Sequence, residues 1–137
     1  MKCRLFAATF LMASALASAQ NTSHFLYAAT SPTRPPGFIS GFAIDPAQGT
    51  LTPLAGSPFA INSSPIAATV DPAQRFLFVG ENTQVDVFAI DPASGALTPA
   101  PGSPFTGYAF AMAVDSSGRF LYTLAPGEWP DSPLMRT

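Results

Sequence analysis

The sequence predicts an all-β protein built from repeated, four-stranded antiparallel sheets, and three observations lead to this class. Proline accounts for 15 and glycine for 10 of the 137 residues, a density that interrupts helices throughout the chain. Aromatic residues make up 12% and charged residues only 10%, whereas disordered chains are poor in aromatic residues and rich in charge. Long segments of the sequence also occur twice, which indicates a repeated structural unit.

The first 19 residues have the pattern of a signal peptide. Lys2 and Arg4 precede an uncharged, mostly apolar run at 5–16, and the sequence A-S-A at 17–19 forms a cleavage site before Gln20. That run is shorter than the roughly 20 residues that a membrane-spanning helix needs. An uncleaved membrane tether or a buried helix is the alternative. Removing 19 of the 137 residues leaves 118 without cysteine, and we expect this mature chain to be secreted or periplasmic.

The mature chain is mildly acidic and contains no lysine. It contains eight carboxylates and four arginines, which are Arg34, Arg75, Arg119 and Arg136. This balance argues against nucleic acid and against anionic membrane surfaces as partners. We therefore expect no nucleic-acid partner and no membrane association once the signal is cleaved.

An internal repeat organises the rest of the chain. Residues 42–59 (FAIDPAQGTLTPLAGSPF) and 88–105 (FAIDPASGALTPAPGSPF) are identical at 14 of 18 positions, with an offset of 46. Residues 69–79 (TVDPAQRFLFV) and 113–123 (AVDSSGRFLYT) form a second pair with an offset of 44. A period of 44–46 residues made of strand-like segments is typical of β-propeller blades.

Each repeat divides into four short strands separated by turns. In the best-preserved copy the predicted strands cover 66–70, 75–79, 85–90 and 96–98. The turns D-P-A-Q at 71–74 and D-P-A-S-G at 91–95 have a physical basis. The aspartate accepts a hydrogen bond from a nearby amide, proline fixes its own φ, and glycine takes the left-handed conformation.

Apolar residues point to both sides of the predicted strands at 76–79 and 85–90. A sheet with one face in water would alternate apolar and polar residues instead. The pattern therefore favours sheets that are stacked face to face, as propeller blades are. An antiparallel sandwich is the alternative fold.

The segment AIDPASGALTPAPGSPF followed by AVDSSGRFLYT resembles the repeat of the lactonase-type, seven-bladed propellers, which include 6-phosphogluconolactonase-like and YVTN-repeat proteins. The resemblance covers about residues 24–125. It implies a ring of about seven blades, a ligand site on one face around the central channel, and lactone hydrolysis as an activity. Related repeats also occur in secreted propellers without a known reaction, so a scaffold that binds a protein or glycan is the alternative function.

The number of predicted strands is small for such a ring. Residues 24–54 supply a second, third and fourth strand, 65–98 a complete unit, and 109–124 a first and second strand. These nine strands amount to about 2.25 blades, where rings contain four to eight. We expect the amino-terminal fragment of a longer propeller, or alternatively a short protomer that closes a ring by oligomerising. Either possibility leaves apolar blade faces open to self-association.

Three segments follow from these observations. Residues 1–19 are the predicted signal peptide, and 20–125 form the partial propeller. Residues 126–137 resemble nothing earlier in the chain, and we expect them to be a disordered tail.

No catalytic constellation is recognisable in the sequence. The one histidine, His24, stands at the start of a strand where other copies have Arg75 and Arg119, which predicts a residue at a blade edge. Amide capping accounts for the aspartates that recur at equivalent turns, which are Asp45, Asp71, Asp91 and Asp115. We therefore predict no metal site and no cofactor.

The loop at 80–84 is the remaining candidate for a functional site. Glu81 is the one carboxylate of the repeat region that neither turn chemistry nor strand alternation explains, and we consider it as a catalytic residue. Glu81 and Asn82 are also the candidate ligand contacts. In a propeller, this loop lies on the face that carries the connections between blades, where the resemblance places the ligand. A solvated loop charge is the alternative for Glu81.

Overall fold

The structure is a computed structural model that describes residues 24–31 and 36–125, where eleven strands form three antiparallel sheets. Sheet 1 contains β1 (His24–Thr30), β2 (Gly37–Ile44), β3 (Leu51–Pro53) and β4 (Phe59–Ile61). Sheet 2 contains β5 (Ala67–Val70), β6 (Phe76–Gly80), β7 (Gln84–Ile90), β8 (Leu97–Pro99) and β9 (Phe105–Thr106). Sheet 3 contains β10 (Ala111–Val114) and β11 (Leu121–Leu124). The all-β prediction is confirmed.

Sheet 2 is the complete repeat unit. Its strands follow one another in the order β5-β6-β7-β8, with β9 also paired to β7. Each of the four predicted strands begins and ends within one residue of the observed bounds, because the turns between them contain the residues that stop a strand. The predicted signal peptide and the predicted tail lie outside the described residues.

The fourth strand of each unit is broken in two, which the sequence analysis did not anticipate. β3 and β4 pair with opposite ends of β2, and β8 and β9 pair in the same way with β7. At the break, the amides of Gly41 and Val87 donate to the hydroxyl oxygens of Ser57 and Ser103, at 3.0 and 2.9 Å. The serine hydroxyl takes the place of a backbone acceptor for these amides. Proline follows each serine and has no amide to donate, which interrupts the ladder at the same point.

The repeated aspartates cap turns, as the sequence predicts, and they do so in two geometries. Asp45 and Asp91 accept hydrogen bonds from amides two and three residues further on, at 2.7–3.2 Å. Asp71 and Asp115 accept from amides four and five residues further on, at 2.5–2.8 Å. Glycine takes the left-handed conformation that the first geometry requires, as at Gly95 with φ of +70°.

Sheet 2 has a neighbouring sheet on each face, sheet 1 on one side and sheet 3 on the other, which confirms the prediction of stacked sheets. Alternate residues of β6 point to opposite sides, so that Leu77 packs towards sheet 1 and Phe78 towards sheet 3. The buried core between sheets 1 and 2 consists of Ile39, Ile61, Leu77, Val79 and Ile90. Between sheets 2 and 3 the buried residues are Val85, Val87 and Ala109. Within the described ranges, no helix has the length and apolar character needed to cross a membrane.

Candidate functional site

The Glu81 loop joins β6 to β7 and lies where the connections between sheets meet. The amide of Glu81 donates to the carbonyl oxygen of Gln84 at 2.9 Å, which closes the turn. Its carbonyl oxygen accepts from the amide of Ala109, in the connection between sheets 2 and 3, at 3.3 Å. Its carboxylate accepts a hydrogen bond from the hydroxyl of Ser63, in the connection between sheets 1 and 2. The loop and both connections therefore share one end of the sheets, as the sequence predicts.

The side chain of Glu81 is only 4% exposed, so the alternative of a solvated loop charge is wrong. The pKa of Glu81 is raised to about 7, first by burial and then by the neighbouring carboxylate of Asp86. A hydrogen bond from Gln84 acts in the opposite direction and lowers this pKa. A carboxyl group that titrates near neutral pH can accept a proton in one step of a reaction and return it in another.

Asn82 follows Glu81 in the loop and is exposed to solvent. The two candidate ligand contacts therefore lie in different environments, with the Glu81 carboxylate buried beneath the loop and Asn82 at its surface. Their roles in catalysis and in ligand binding stay predictions.

His24 lies at the opposite end of the sheets from Glu81. It begins β1 and pairs with Ile44, the last residue of β2. The first residue of β2, Gly37, donates its amide to the carbonyl oxygen of Ser63, whose hydroxyl reaches Glu81. A seven-residue strand spans about 20 Å, so His24 and Glu81 are separated by nearly the full height of the sheet.

The turn aspartates are engaged in capping and are distributed around the sheets. Asp71 also forms an ion pair with Arg75, with 3.3 Å between Oδ2 and Nε. Among the described residues, no group of three or more histidine, cysteine, aspartate or glutamate side chains is placed to hold a metal ion.

Two residues of the site were missed by the sequence analysis. Asp86 is the one charged residue inside the apolar strand β7, a signal that could have linked it to Glu81. Ser63 lies in a serine-rich connection and carries no such signal, because its contact with Glu81 depends on how sheets 1 and 2 stack.

Antiparallel sheets of one repeated design, stacked face to face with their connections at one end, define a protein built from β-propeller blades. The family model for the lactonase, 7-bladed beta-propeller matches residues 7–114. The chain therefore belongs to the lactonase family of seven-bladed β-propellers. The match begins inside the predicted signal peptide and ends at the last residue of β10. A comparison with curated proteins finds no match.

Proposed function

We propose that the protein is an extracytoplasmic, lactonase-like propeller, and that the complete ring opens a lactone with Glu81 as its proton-transfer residue. One observation carries the choice of residue, namely a buried carboxyl group with a pKa of about 7 at the end of the sheets where the connecting loops meet. Family membership supports the reaction class. The predicted signal peptide supports the location.

In the proposed reaction, ionised Glu81 accepts a proton from a water molecule as the water oxygen adds to the lactone carbonyl carbon. The tetrahedral intermediate then collapses, and the bond between the carbonyl carbon and the ring oxygen breaks. The ring oxygen takes the proton back from Glu81, which leaves a hydroxy acid and the original carboxylate. Burial, together with the neighbouring carboxylate of Asp86, keeps the pKa of Glu81 high enough for both transfers at neutral pH. Asn82, at the surface of the same loop, would donate a hydrogen bond to a ligand oxygen.

A single copy of this chain has no lactonase activity in this proposal. A propeller site lies among several blades, whereas the described residues form one complete sheet and two partial ones. The missing blades belong to a longer polypeptide of which this chain is the amino-terminal part. Alternatively, further copies of the same chain supply the missing blades.

A non-enzymatic scaffold that binds a glycan or a protein is the second candidate. Tyr108 and Phe110 are large, exposed aromatic side chains, and they flank Ala109, whose amide contacts the Glu81 loop. Exposed aromatic rings beside a polar loop supply rigid contact area for sugars and for protein partners. This candidate does not require Glu81 to exchange a proton.

The test begins with the DNA that follows the codon for Thr137, read in all three frames for further AIDP…GALTP units. The extended protein and residues 20–137 alone are then assayed for opening of a δ-lactone. We expect turnover only from the extended protein, and we expect Glu81→Gln to reduce it by roughly 10²–10⁴-fold. Asn82→Ala, in the same loop, should raise KM more than it lowers kcat.

Unchanged turnover in the Glu81→Gln variant would remove Glu81 from the mechanism. An extended protein that opens no lactone would support the scaffold, and Tyr108→Ala should then weaken binding of glycans or proteins. If the DNA encodes no further repeat units, the hypothesis that this chain is a fragment of a longer propeller is contradicted. The alternative, in which further copies of the chain supply the other blades, is then favoured.

A further inference from the structure

We infer that Glu81 acts as a pH-sensitive latch, which holds the connections on either side of sheet 2 to the β6–β7 loop when it is protonated and releases them when it ionises. The first connection is residues 62–66, between sheets 1 and 2, and the second is residues 107–110, between sheets 2 and 3. The inference goes beyond the proposed lactonase activity, and its test uses no lactone.

Hydrogen bonds from Glu81 reach three elements of the structure. Its carboxyl group accepts a hydrogen bond from the hydroxyl of Ser63, in the first connection. Its backbone carbonyl oxygen accepts from the amide of Ala109, in the second connection, at 3.3 Å. Within sheet 2, the carboxyl group also forms a hydrogen bond with the side chain of Asp86 on β7. One residue therefore ties both connections to the complete sheet.

The end of β6 lies so close to both connections that Gly80 has no room for a side chain. Its carbonyl oxygen accepts from the amide of Ile66, in the first connection, at 2.8 Å. A Cβ atom at Gly80 would lie 2.5 Å from the carbonyl oxygen of Ala109, in the second. Glu81 follows directly and is only 4% exposed. Water therefore cannot solvate a charge on Glu81 while both connections stay in place.

The two carboxyl groups are not part of the repeated design. β1 pairs with β2 as β6 pairs with β7, and this register makes Thr30 the counterpart of Glu81. In the same register, Ser40 is the counterpart of Asp86. Ala125 follows β11 at the place where Glu81 follows β6. Sheet 1 forms the same strand pairs without carboxylates at these places, so the fold does not require them.

The protonation state of Glu81 decides whether this arrangement is stable. The protonated carboxyl group donates to the carboxylate of Asp86 and accepts from Ser63. After ionisation it has no proton to donate, and two negative charges face each other away from water. The repulsion is relieved when the Glu81 side chain turns outward beside the exposed Asn82, which breaks its bond to Ser63. Burial and the Asp86 carboxylate raise the pKa of Glu81 to about 7, so this change falls near neutral pH.

Few other titratable groups lie at this end of the described sheets. The first connection contains none, and the second contains Tyr108, whose side chain is 55% exposed. The strands that border the connections contain no titratable residue apart from Asp86; they are β2, β4, β5, β7, β9 and β10. Among the described residues, the charges of Glu81 and Asp86 therefore control the latch.

Release of the latch gives access to a carboxyl group that the closed form buries. Ionised Glu81 is the released form, and it is also the form that accepts a proton in the proposed reaction. The latch would thus admit a ligand at the pH at which Glu81 can act as a base, and would keep this end of the sheets closed at acidic pH. This consequence rests on the proposed function, whereas the latch itself does not.

The experiment measures amide hydrogen exchange by nuclear magnetic resonance in residues 20–137 between pH 5 and pH 8, with each rate divided by its intrinsic rate to give a protection factor. The reporters are Gly37, whose amide donates to the carbonyl oxygen of Ser63 at 2.9 Å, and Ala109. With a pKa of about 7 in the closed form and 4.5 in the open form, their protection should fall by roughly 70-fold across this range. The amide of Phe76, capped by Asp71 at the opposite end of β6, is the control and should keep its protection.

Four variants separate the latch from a general loss of stability. Glu81→Gln cannot ionise, so both reporters should stay protected at pH 8. Asp86→Asn removes the facing charge, so the fall should occur at lower pH. Ser63→Ala cuts the link to the first connection, so Gly37 should lose its pH dependence while Ala109 keeps it. Ser63→Thr retains the hydroxyl and should behave as the wild type does.

Constant protection of Gly37 and Ala109 between pH 5 and pH 8 would overturn the inference. An equal fall at Phe76, or a pH dependence at Gly37 that survives Ser63→Ala, would overturn it as well. If the latch behaves as expected but the extended protein opens no lactone, the proposed function alone is contradicted. If Glu81→Gln loses turnover but protection is independent of pH, the latch alone is contradicted.

Discussion

Gln74 ends the turn between β5 and β6 in a left-handed conformation, with φ of +55°. The equivalent turn of sheet 3 has Gly118 at this position, with φ of +69°. A side chain in this conformation costs roughly 1 kcal/mol, because its Cβ approaches the following carbonyl oxygen. The capping aspartate Asp71 holds the turn in this geometry all the same, through hydrogen bonds to the amides of Arg75 and Phe76.

We predict that Gln74→Gly raises the free energy of unfolding by up to about 0.5 kcal/mol, because roughly 1 kcal/mol of strain is relieved and roughly 0.5–1 kcal/mol is lost to the greater chain entropy of glycine. Urea denaturation measures this change. Gly118→Gln is the matched reversal and should lower the free energy of unfolding by a similar amount. A lower stability for Gln74→Gly would contradict the assignment of strain to this residue.

Glu81 makes stability depend on pH in a direction opposite to that of most acidic residues. Its pKa is raised to about 7 in the folded state and lies near 4.5 in the unfolded chain. The folded state therefore binds more protons than the unfolded state between these two values. The stability contributed by protonated Glu81 is complete below about pH 4.5 and is lost as the pH rises through about 7.

Replacement of Glu81 by glutamine should remove this dependence. We predict that Glu81→Gln gains stability relative to the wild type between pH 5 and pH 8, by up to about 3 kcal/mol. Denaturant midpoints across this range provide the measurement. Glu128→Gln controls for the loss of one negative charge, since Glu128 is the chain's other glutamate. Parallel pH profiles for the wild type and Glu81→Gln would show that Glu81 does not titrate in this window.

At the scale of single elements, the strands of sheet 2 were predictable because their signals are local. Turn residues such as Pro72 and Gly95 stop each strand, and apolar residues on both sides of a strand require two neighbouring sheets. The broken fourth strand was not predictable in this way. Its second half, β9, is held by the long-range bond from Val87 to Ser103 and by pairing with β7, and neither is visible as a pattern of neighbouring residues.

The candidate site shows the same division between local and long-range information. Glu81 could be found because no local role in a turn or strand explained its carboxylate. Its burial could not be predicted, because it results from Ser63 and Ala109, which belong to connections on either side of sheet 2. Whether a carboxylate is a surface charge or a buried acid therefore depends on how the sheets stack.

At the scale of the whole molecule, sheet 2 has a neighbouring sheet on each face, whereas within residues 24–31 and 36–125 only one face of sheet 1 has one. A repeated fold spreads its core over all its interfaces, so each uncovered face contains residues that are buried elsewhere in the same chain. Leu26 and Leu77 illustrate this, as equivalent residues with opposite exposure. The low charge and high apolar content of the sequence are typical of a chain whose sheets pack against other sheets on both faces.

The central claim is that the stacking of the sheets buries the Glu81 carboxyl group at the end where the connecting loops meet. A pH titration of the glutamate carboxyl carbons by nuclear magnetic resonance in residues 20–137, with Glu81→Gln to assign the signal, tests it most directly. We predict that the Glu81 signal titrates with a pKa of about 7. A pKa near 4.5 for Glu81, in a chain that stays folded, would contradict the claim.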